Sequence, residues 1–343
     1  MRLLKKTILL VLTCVLLCTA VSAADAKKFS DVPNGHWAAE SIGGCSKYGL
    51  MEGVGSDRFG LGLNMSRAAY VTALCRLMEW EMIKPEKGSF ADNLQSDMWY
   101  YSAVETAYAH GVLTEQSENC RPNDAVTREE MAVMSVRALG YTMLAGTVGG
   151  AACPFKDVST NQGYVTIAYQ MGIVKGVDEY NFDAGRTATR EEAATILLRV
   201  FYLLHDVFSL QYVSAAPDGV ELVPGIISTS GSVPLSPRAP LEYLYSLTAG
   251  TGKRAVAINA VPYAQNVKNG VVSAGRALSR EEFTNYLQRA KLCRSDRYEC
   301  SYLICREEDG SNTVVWFESE RDIQAKAKLC RCIGVKELYV VRW

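Results

Sequence analysis

The sequence predicts a multi-domain chain: an all-α module of three repeated helix pairs, followed by a small α/β domain. Three observations carry this prediction. The phrase VTREEMAVMSVRALG (Val126–Gly140) returns in varied form as MSRAAYVTALCRLME (Met65–Glu79) and ATREEAATILLRVFY (Ala188–Tyr202). Aligned on Arg67, Arg128 and Arg190, the copies stand 61 and 62 residues apart, and Gly49, Gly111 and Gly172 keep nearly the same step. Beyond about residue 205 the helical period gives way to strand-like runs alternating with capped helices.

Taken in order, residues 1–26 read as an export signal. MRLLKK is basic, TILLVLTCVLLCTA is apolar, and VSAADA offers small residues at cleavage spacing. The apolar run of roughly 14 residues is short against the ~20 that a membrane span needs, so no membrane association is expected after cleavage. Removal of Cys14 and Cys18 leaves nine of the 11 cysteines, an odd number that excludes complete internal pairing. Most are expected to act as small buried hydrophobes. Their spacing lacks the paired CxxC and histidines of a zinc site, and with three histidines in the chain no metal or cofactor is expected. A net charge of −1 gives no bulk attraction for nucleic acid.

The repeats are placed at 29–80, 90–141 and 155–204. Each opens on FxD, in FSDVPNGHWA, FADNLQSDMWY and FKDVSTNQGY. Asp31, Asp92 and Asp157 are suited to cap the helix that follows. That helix stops at a glycine able to turn left-handed. After a polar loop comes T-x-x-E, a capping box at Thr127–Glu130 and Thr189–Glu192, and then a second helix. Met131, Met134 and Ala138 share one face of it, as do Ala193, Ile196, Leu197 and Val200. A unit this small cannot bury its own apolar face, so neighbours must pack together.

These landmarks resemble the S-layer homology domain, whose pattern runs F-x-DV-x-x-HWA, then G-hydrophobic-x-x-G, then F-x-P, then TRxE. The resemblance covers about residues 29–202. It implies a three-pronged helical module that docks non-covalently on pyruvylated secondary cell-wall polysaccharide of the peptidoglycan layer. It further implies a ligand role for Arg67, Arg128 and Arg190, whose forked guanidinium suits a ketal-bound carboxylate. Trp37 and Trp99 match the family tryptophan, able to stack on a sugar. The bland readings stand beside these. The tryptophans could be core anchors, and the arginines could be compensated by the glutamate of their own helix. Three departures are visible: Ala69 replaces the acidic residue in the first TRxE, Cys120 stands where the other units have Phe59 and Phe182, and Thr160 stands where they have tryptophan. One or two working sites are expected.

The tail is read as a linker with short strands over 205–253 and an α/β domain over 254–343. Arg254–Tyr263 reads as a strand, Ser279–Cys293 as a helix with its own capping box, Glu308–Ser311 as a hairpin turn, and Ser319–Gly334 as a capped amphipathic helix before a last strand. Val314–Trp343 resembles the closing strand–helix–strand of a family 18 glycoside hydrolase, with Trp316, Phe317, Glu318, Ile323, Lys326 and Gly334 in register. The resemblance implies a partial TIM-barrel and glycan contacts through Tyr263, Trp316 and Trp343. No catalytic residue is assigned. The stretch Asp218–Gly225 begins like that family's DGxDxDxE strand, but Val223 and Gly225 occupy the last two acidic positions. The 139 residues after the repeats also fall short of the ~250 of a full barrel. The expectation is an exported cell-surface protein anchored through its repeats, with a non-catalytic tail. The alternative is a wall-processing hydrolase acting on N-acetylhexosamine polymers.

Overall fold

The structure, a computed structural model, describes residues 28–343 apart from 115–117, 149–152, 221, 224–240, 274 and 296–299. The predicted leader, Glu221 and Gly225 therefore lie outside the described residues. The repeats form helix pairs as expected: α1 (Ala39–Lys47) with α2 (Arg67–Leu77), α3 (Tyr101–Ala109) with α4 (Arg128–Ala138), and α6 (Gln162–Gln170) with α7 (Arg190–His205). A short α5 (Thr142–Thr147) follows the second pair. Ser66 and the boxes at Thr127 and Thr189 cap the second helix of each pair. Gly49, Gly111 and Gly172 end the first helices at φ of +67°, +72° and +71°, the conformation that glycine adopts without steric cost.

The three units close into a ring. The first helix of each packs on the second helix of the unit before it: α3 on α2, α6 on α4, and α1 back on α7. At the last of these junctions the Cys45 Sγ lies 3.2 Å from the Ala194 carbonyl, and Gly44 admits the Leu198 side chain so closely that a Cβ would collide with it. A hub joins the strands entering the second helices. Met65 N–H donates to Ala188 O, Ala188 N–H to Val126 O, and Val126 N–H to Met65 O, each at 2.9 Å. Three short extended segments thus satisfy one another in a cycle, a small β element that helical periodicity does not reveal.

The C-terminal part holds two sheets. The first is all parallel in the order β1 (Ser209–Val213), β10 (Glu337–Val341), β3 (Ala255–Asn259) and β2 (Leu222–Val223). The second is antiparallel, running β5 (Val271–Val272), β4 (Tyr263–Lys268), β9 (Asn312–Phe317), β8 (Cys300–Arg306) and β7 (Lys291–Ser295), with β6 (Arg276–Ala277) also on β4. Helix α8 is Leu241–Thr248, α9 is Arg280–Arg289 and α10 is Glu320–Cys332. The predicted boxes at Ser279 and Ser319 cap α9 and α10, and the predicted hairpin joins β8 to β9 through Gly310 at φ +80°. Phe283 and Tyr286 of α9 cover Ala264, Leu303 and Val315.

The segment 205–253, expected as a linker, is built into this domain. β1 and β2 are the edges of the parallel sheet, and α8 packs on α10. Its serine, proline and glycine content signals turns, and the strands between them are too short for a periodicity to register. One apolar core runs from the repeats into this sheet. Across the boundary Lys328 Nζ donates to Leu139 O at 2.7 Å, Arg331 Nη1 donates to Leu204 O at 2.6 Å, and the Tyr245 hydroxyl bonds Gln170. Seven of the nine described cysteines are buried, as small core residues are.

Candidate functional site

Ring closure creates three grooves, one at each junction, and every groove draws on all three repeats. The first carries Trp37 from repeat one, Arg128 from repeat two and Arg199 from repeat three. The second carries Trp99, Arg190 and Arg76, the same positions moved on by one repeat. The third carries Asn161, Arg67 and Arg137. Trp37 and Trp99 are each 63% exposed, so the reading of them as core anchors does not hold. The apolar need of each short helix is met instead by residues behind the tryptophan, such as Ala38 and Ile42 or Tyr101 and Val104, all fully buried or nearly so. The third groove lacks its tryptophan.

Each motif arginine reaches into the next repeat around the ring. Arg190 donates from Nε to Phe59 O at 2.9 Å and from Nη2 to Glu52 O at 2.6 Å, with its guanidinium 4.9 Å from the Phe59 ring centre. Arg128 repeats this on Phe182 O (2.9 Å), Lys175 O (2.8 Å) and the Phe182 ring (4.8 Å). Arg67 donates from Nε to Cys120 O at 2.9 Å, and among the described residues no aromatic ring lies against it, Cys120 standing where the other units have phenylalanine. Burial lowers the basicity of Arg128 and Arg190.

The loops that receive these arginines are pinned by the FxD aspartates. Asp31 accepts from the N–H groups of Phe59, Gly60 and Leu61 at 2.7, 2.8 and 3.0 Å. Asp92 accepts from Cys120 and Arg121 at 2.8 and 2.7 Å, and Asp157 from Phe182 and Asp183 at 2.8 and 2.6 Å. Desolvation pushes the three carboxyls up, but these amides outweigh it and hold them below the usual range. Their predicted role as helix caps is corrected here: α1, α3 and α6 begin without a side-chain cap, because FxD lies too far ahead of the helix.

The grooves differ in charge. Glu130 pairs with Arg67 at 2.7 Å and also with Arg121. Glu192 stands 3.7 Å from Arg128 and binds Arg186 at 2.7 Å. The residue corresponding to these glutamates in the first repeat is Ala69, and among the described residues no carboxylate pairs with Arg190. The departure at Ala69 therefore bears on the third repeat's arginine and leaves Arg67 fully paired. Sequence reasoning missed Arg76, Arg137 and Arg199. They sit nine residues after each motif arginine, and the threefold phrase contained that signal.

In the tail, Tyr263, Trp316 and Tyr302 lie in one register row across β4, β9 and β8. Tyr302 and Trp316 are 4.9 Å apart, and the Trp316 indole donates to Gln265 Oε1 at 3.0 Å. Trp343 stands apart from this row. It donates to Leu278 O at 2.7 Å and lies near Phe283 and Arg280 of α9. Among the described residues no cluster of three or more His, Cys, Asp or Glu side chains could hold a metal, and no helix is long and apolar enough to cross a membrane.

The S-layer homology domain matches residues 28–71, 89–132 and 154–194. An S-layer protein of Bacillus thuringiensis subsp. finitimus is 30% identical over 200 residues, 57% of this chain and 24% of that protein. An amylopullulanase of Thermoanaerobacterium thermosulfurigenes is 33% identical over 181 residues, 50% of this chain and 9% of the enzyme. The chain thus spans less than a quarter of these relatives. The crystal structure of the spore cortex-lytic enzyme SleL from Bacillus megaterium QM B1551 aligns at a TM-score of 0.23 and 23% identity, covering 29% of this chain and 24% of that one. The chain carries three S-layer homology domains. It is a cell-surface protein.

Proposed function

We propose that the repeats anchor the protein non-covalently to secondary cell-wall polysaccharide, and that the grooves at Trp37 and Trp99 hold its acidic, pyruvyl-ketal sugars. The observation that carries this reading is the pairing, in those two grooves, of an exposed indole with two arginines drawn from different repeats. A sugar ring stacks on the indole while its carboxylate meets the guanidinium groups. The third groove offers Asn161 in place of an indole, and Glu130 already neutralises Arg67, so it contributes little. Of the sequence candidates, Arg128, Arg190, Trp37 and Trp99 thus belong to working grooves and Arg67 does not.

The tail is read as a reduced (β/α)-barrel that no longer catalyses. What supports this reading is that, among the described residues, the first strand of the tail, β1, lies beside the last, β10, in a four-stranded parallel sheet, the pairing that first and last strands make in a barrel. The Tyr263–Trp316 row is its candidate glycan contact, whereas Trp343 serves packing. The test is retention of the full chain on purified sacculi with their polymers attached. The Trp37→Ala/Trp99→Ala double variant is expected to lose most retention while keeping its fold, and unchanged retention would contradict the reading. Turnover of an N-acetylhexosamine polymer, lost in Glu221→Gln, would restore the hydrolase alternative.

A further inference from the structure

We infer that Arg76 and Arg199 are the cations that contact the ligand's carboxylate, whereas Arg128 and Arg190 are clamps that join neighbouring repeats. This assignment rests on the groove reading above and divides its arginines into two roles. Both clamp residues spend Nε and Nη2 on two carbonyls of the next repeat, and an aromatic ring lies against each guanidinium. The Nε/Nη2 edge is thereby spent, leaving both N–H groups of Nη1 and the second of Nη2, and at Arg128 Nη1 stands 3.7 Å from Glu192. A guanidinium held in this way fixes the junction and has lost the side-on Nε/Nη2 edge for a forked bond to an incoming carboxylate, keeping the end-on Nη pair.

Arg199 is the reverse case. It makes a single hydrogen bond, from Nη1 to Ile173 O at 3.1 Å, and among the described residues no carboxylate pairs with it. It lines the same groove as the exposed Trp37. Burial alone depresses its basicity, with nothing acidic to offset the loss of hydration. A half-buried cation without a counter-ion, beside an open indole, is the environment that an anionic sugar completes. Arg76 holds the matching place beside Trp99, and its one ion pair is a 3.5 Å contact to Glu52, whose side chain is 79% exposed. A ligand carboxylate displaces so loose a partner at small cost. The third member of the series, Arg137, makes the same carbonyl bond, to Val112 O at 3.2 Å, but also donates from Nε to the Tyr164 hydroxyl at 3.4 Å and lies 5.2 Å from that ring, in the groove that has no tryptophan.

The test is calorimetric titration of the full chain with a methyl hexoside carrying a pyruvic acid ketal, with the thermal midpoint measured alongside. Arg76→Gln with Arg199→Gln is expected to keep the wild-type midpoint and weaken binding about 10- to 100-fold, the loss of charge-assisted hydrogen bonds. The double lysine variant at these positions, which keeps a point charge but not the fork, is expected to recover part of the affinity. Arg128→Lys and Arg190→Lys are expected to lower the midpoint. The assignment is overturned if the Arg76/Arg199 glutamine variant binds like wild type. It is equally overturned if the motif lysine variants keep the midpoint and lose binding. A wild-type chain that ignores the probe defeats the groove reading itself, and this assignment falls with it.

Discussion

Ala69 shows how one side chain acts on a residue far away in sequence. In the other repeats the corresponding glutamate both caps its own helix and sits beside an arginine from the preceding repeat. Ala69→Glu should therefore have two opposite effects. It completes the box that Ser66 begins and adds about 0.5–1 kcal/mol of stability. It also places a carboxylate in the groove lined by Trp99 and Arg76, where it repels the ligand's own carboxylate, so wall retention should fall while the thermal midpoint rises. A rise in both would contradict the account. Glu130 is one of the carboxylates that make stability depend on pH. Desolvation pushes its carboxyl up, yet the Thr127 N–H with Arg67 and Arg121 outweighs this and holds it below its ordinary value of 4.5. The folded value lies below the unfolded one, so the stability it brings is complete above that ordinary value and is lost as pH falls through the lowered one. Midpoints measured from about pH 6 to about pH 2 should fall less steeply in Glu130→Gln than in wild type.

At the scale of elements, the grooves owe their shape to loops held by aspartate and glycine. Gly176 stands where a Cβ would lie 2.5 Å from Asp178 O and Phe155 Cε1, and 2.8 Å from Asn181 O. Gly53 occupies the same place in the first repeat, against Arg58 O and Phe29. Gly176→Ala should displace the loop that presents Lys175 O to Arg128, costing about 1–3 kcal/mol in chemical denaturation. A midpoint unchanged from wild type would show that the loop yields freely. Much of this level was legible beforehand. The capping boxes, the left-handed glycines and the hairpin at Gly310 follow from local residue chemistry, and local chemistry decided them. The aspartates were misread because their partners, such as Phe59 for Asp31, lie almost thirty residues downstream, where no local rule reaches. Trp37 and Trp99 could be read as core anchors, and local sequence could not say that ring closure leaves both in solvent. Arg76 and Arg199 were written in the repeat and passed over because no local rule marks a lone arginine nine residues into a helix.

For the whole molecule, the closed ring and the continuous core make the repeats and the tail one folding body. Periodicity predicted that neighbours pack, but it could not distinguish an open row from a ring, which is decided by α1 meeting α7. Composition likewise placed a linker where the sheet edges lie. Lys328 and Arg331 mark the seam, each donating from a charged group to a helix-end carbonyl. Their joint replacement by alanine should cost about 2–4 kcal/mol and broaden or split a single thermal transition, read by calorimetry. A single transition of unaltered midpoint would mean that the seam contributes little. Anchoring itself is tested most directly by binding the full chain to purified sacculi before and after chemical removal of pyruvyl ketals. The account predicts firm retention that is largely lost once the ketals are gone. Retention undiminished by their removal would contradict it.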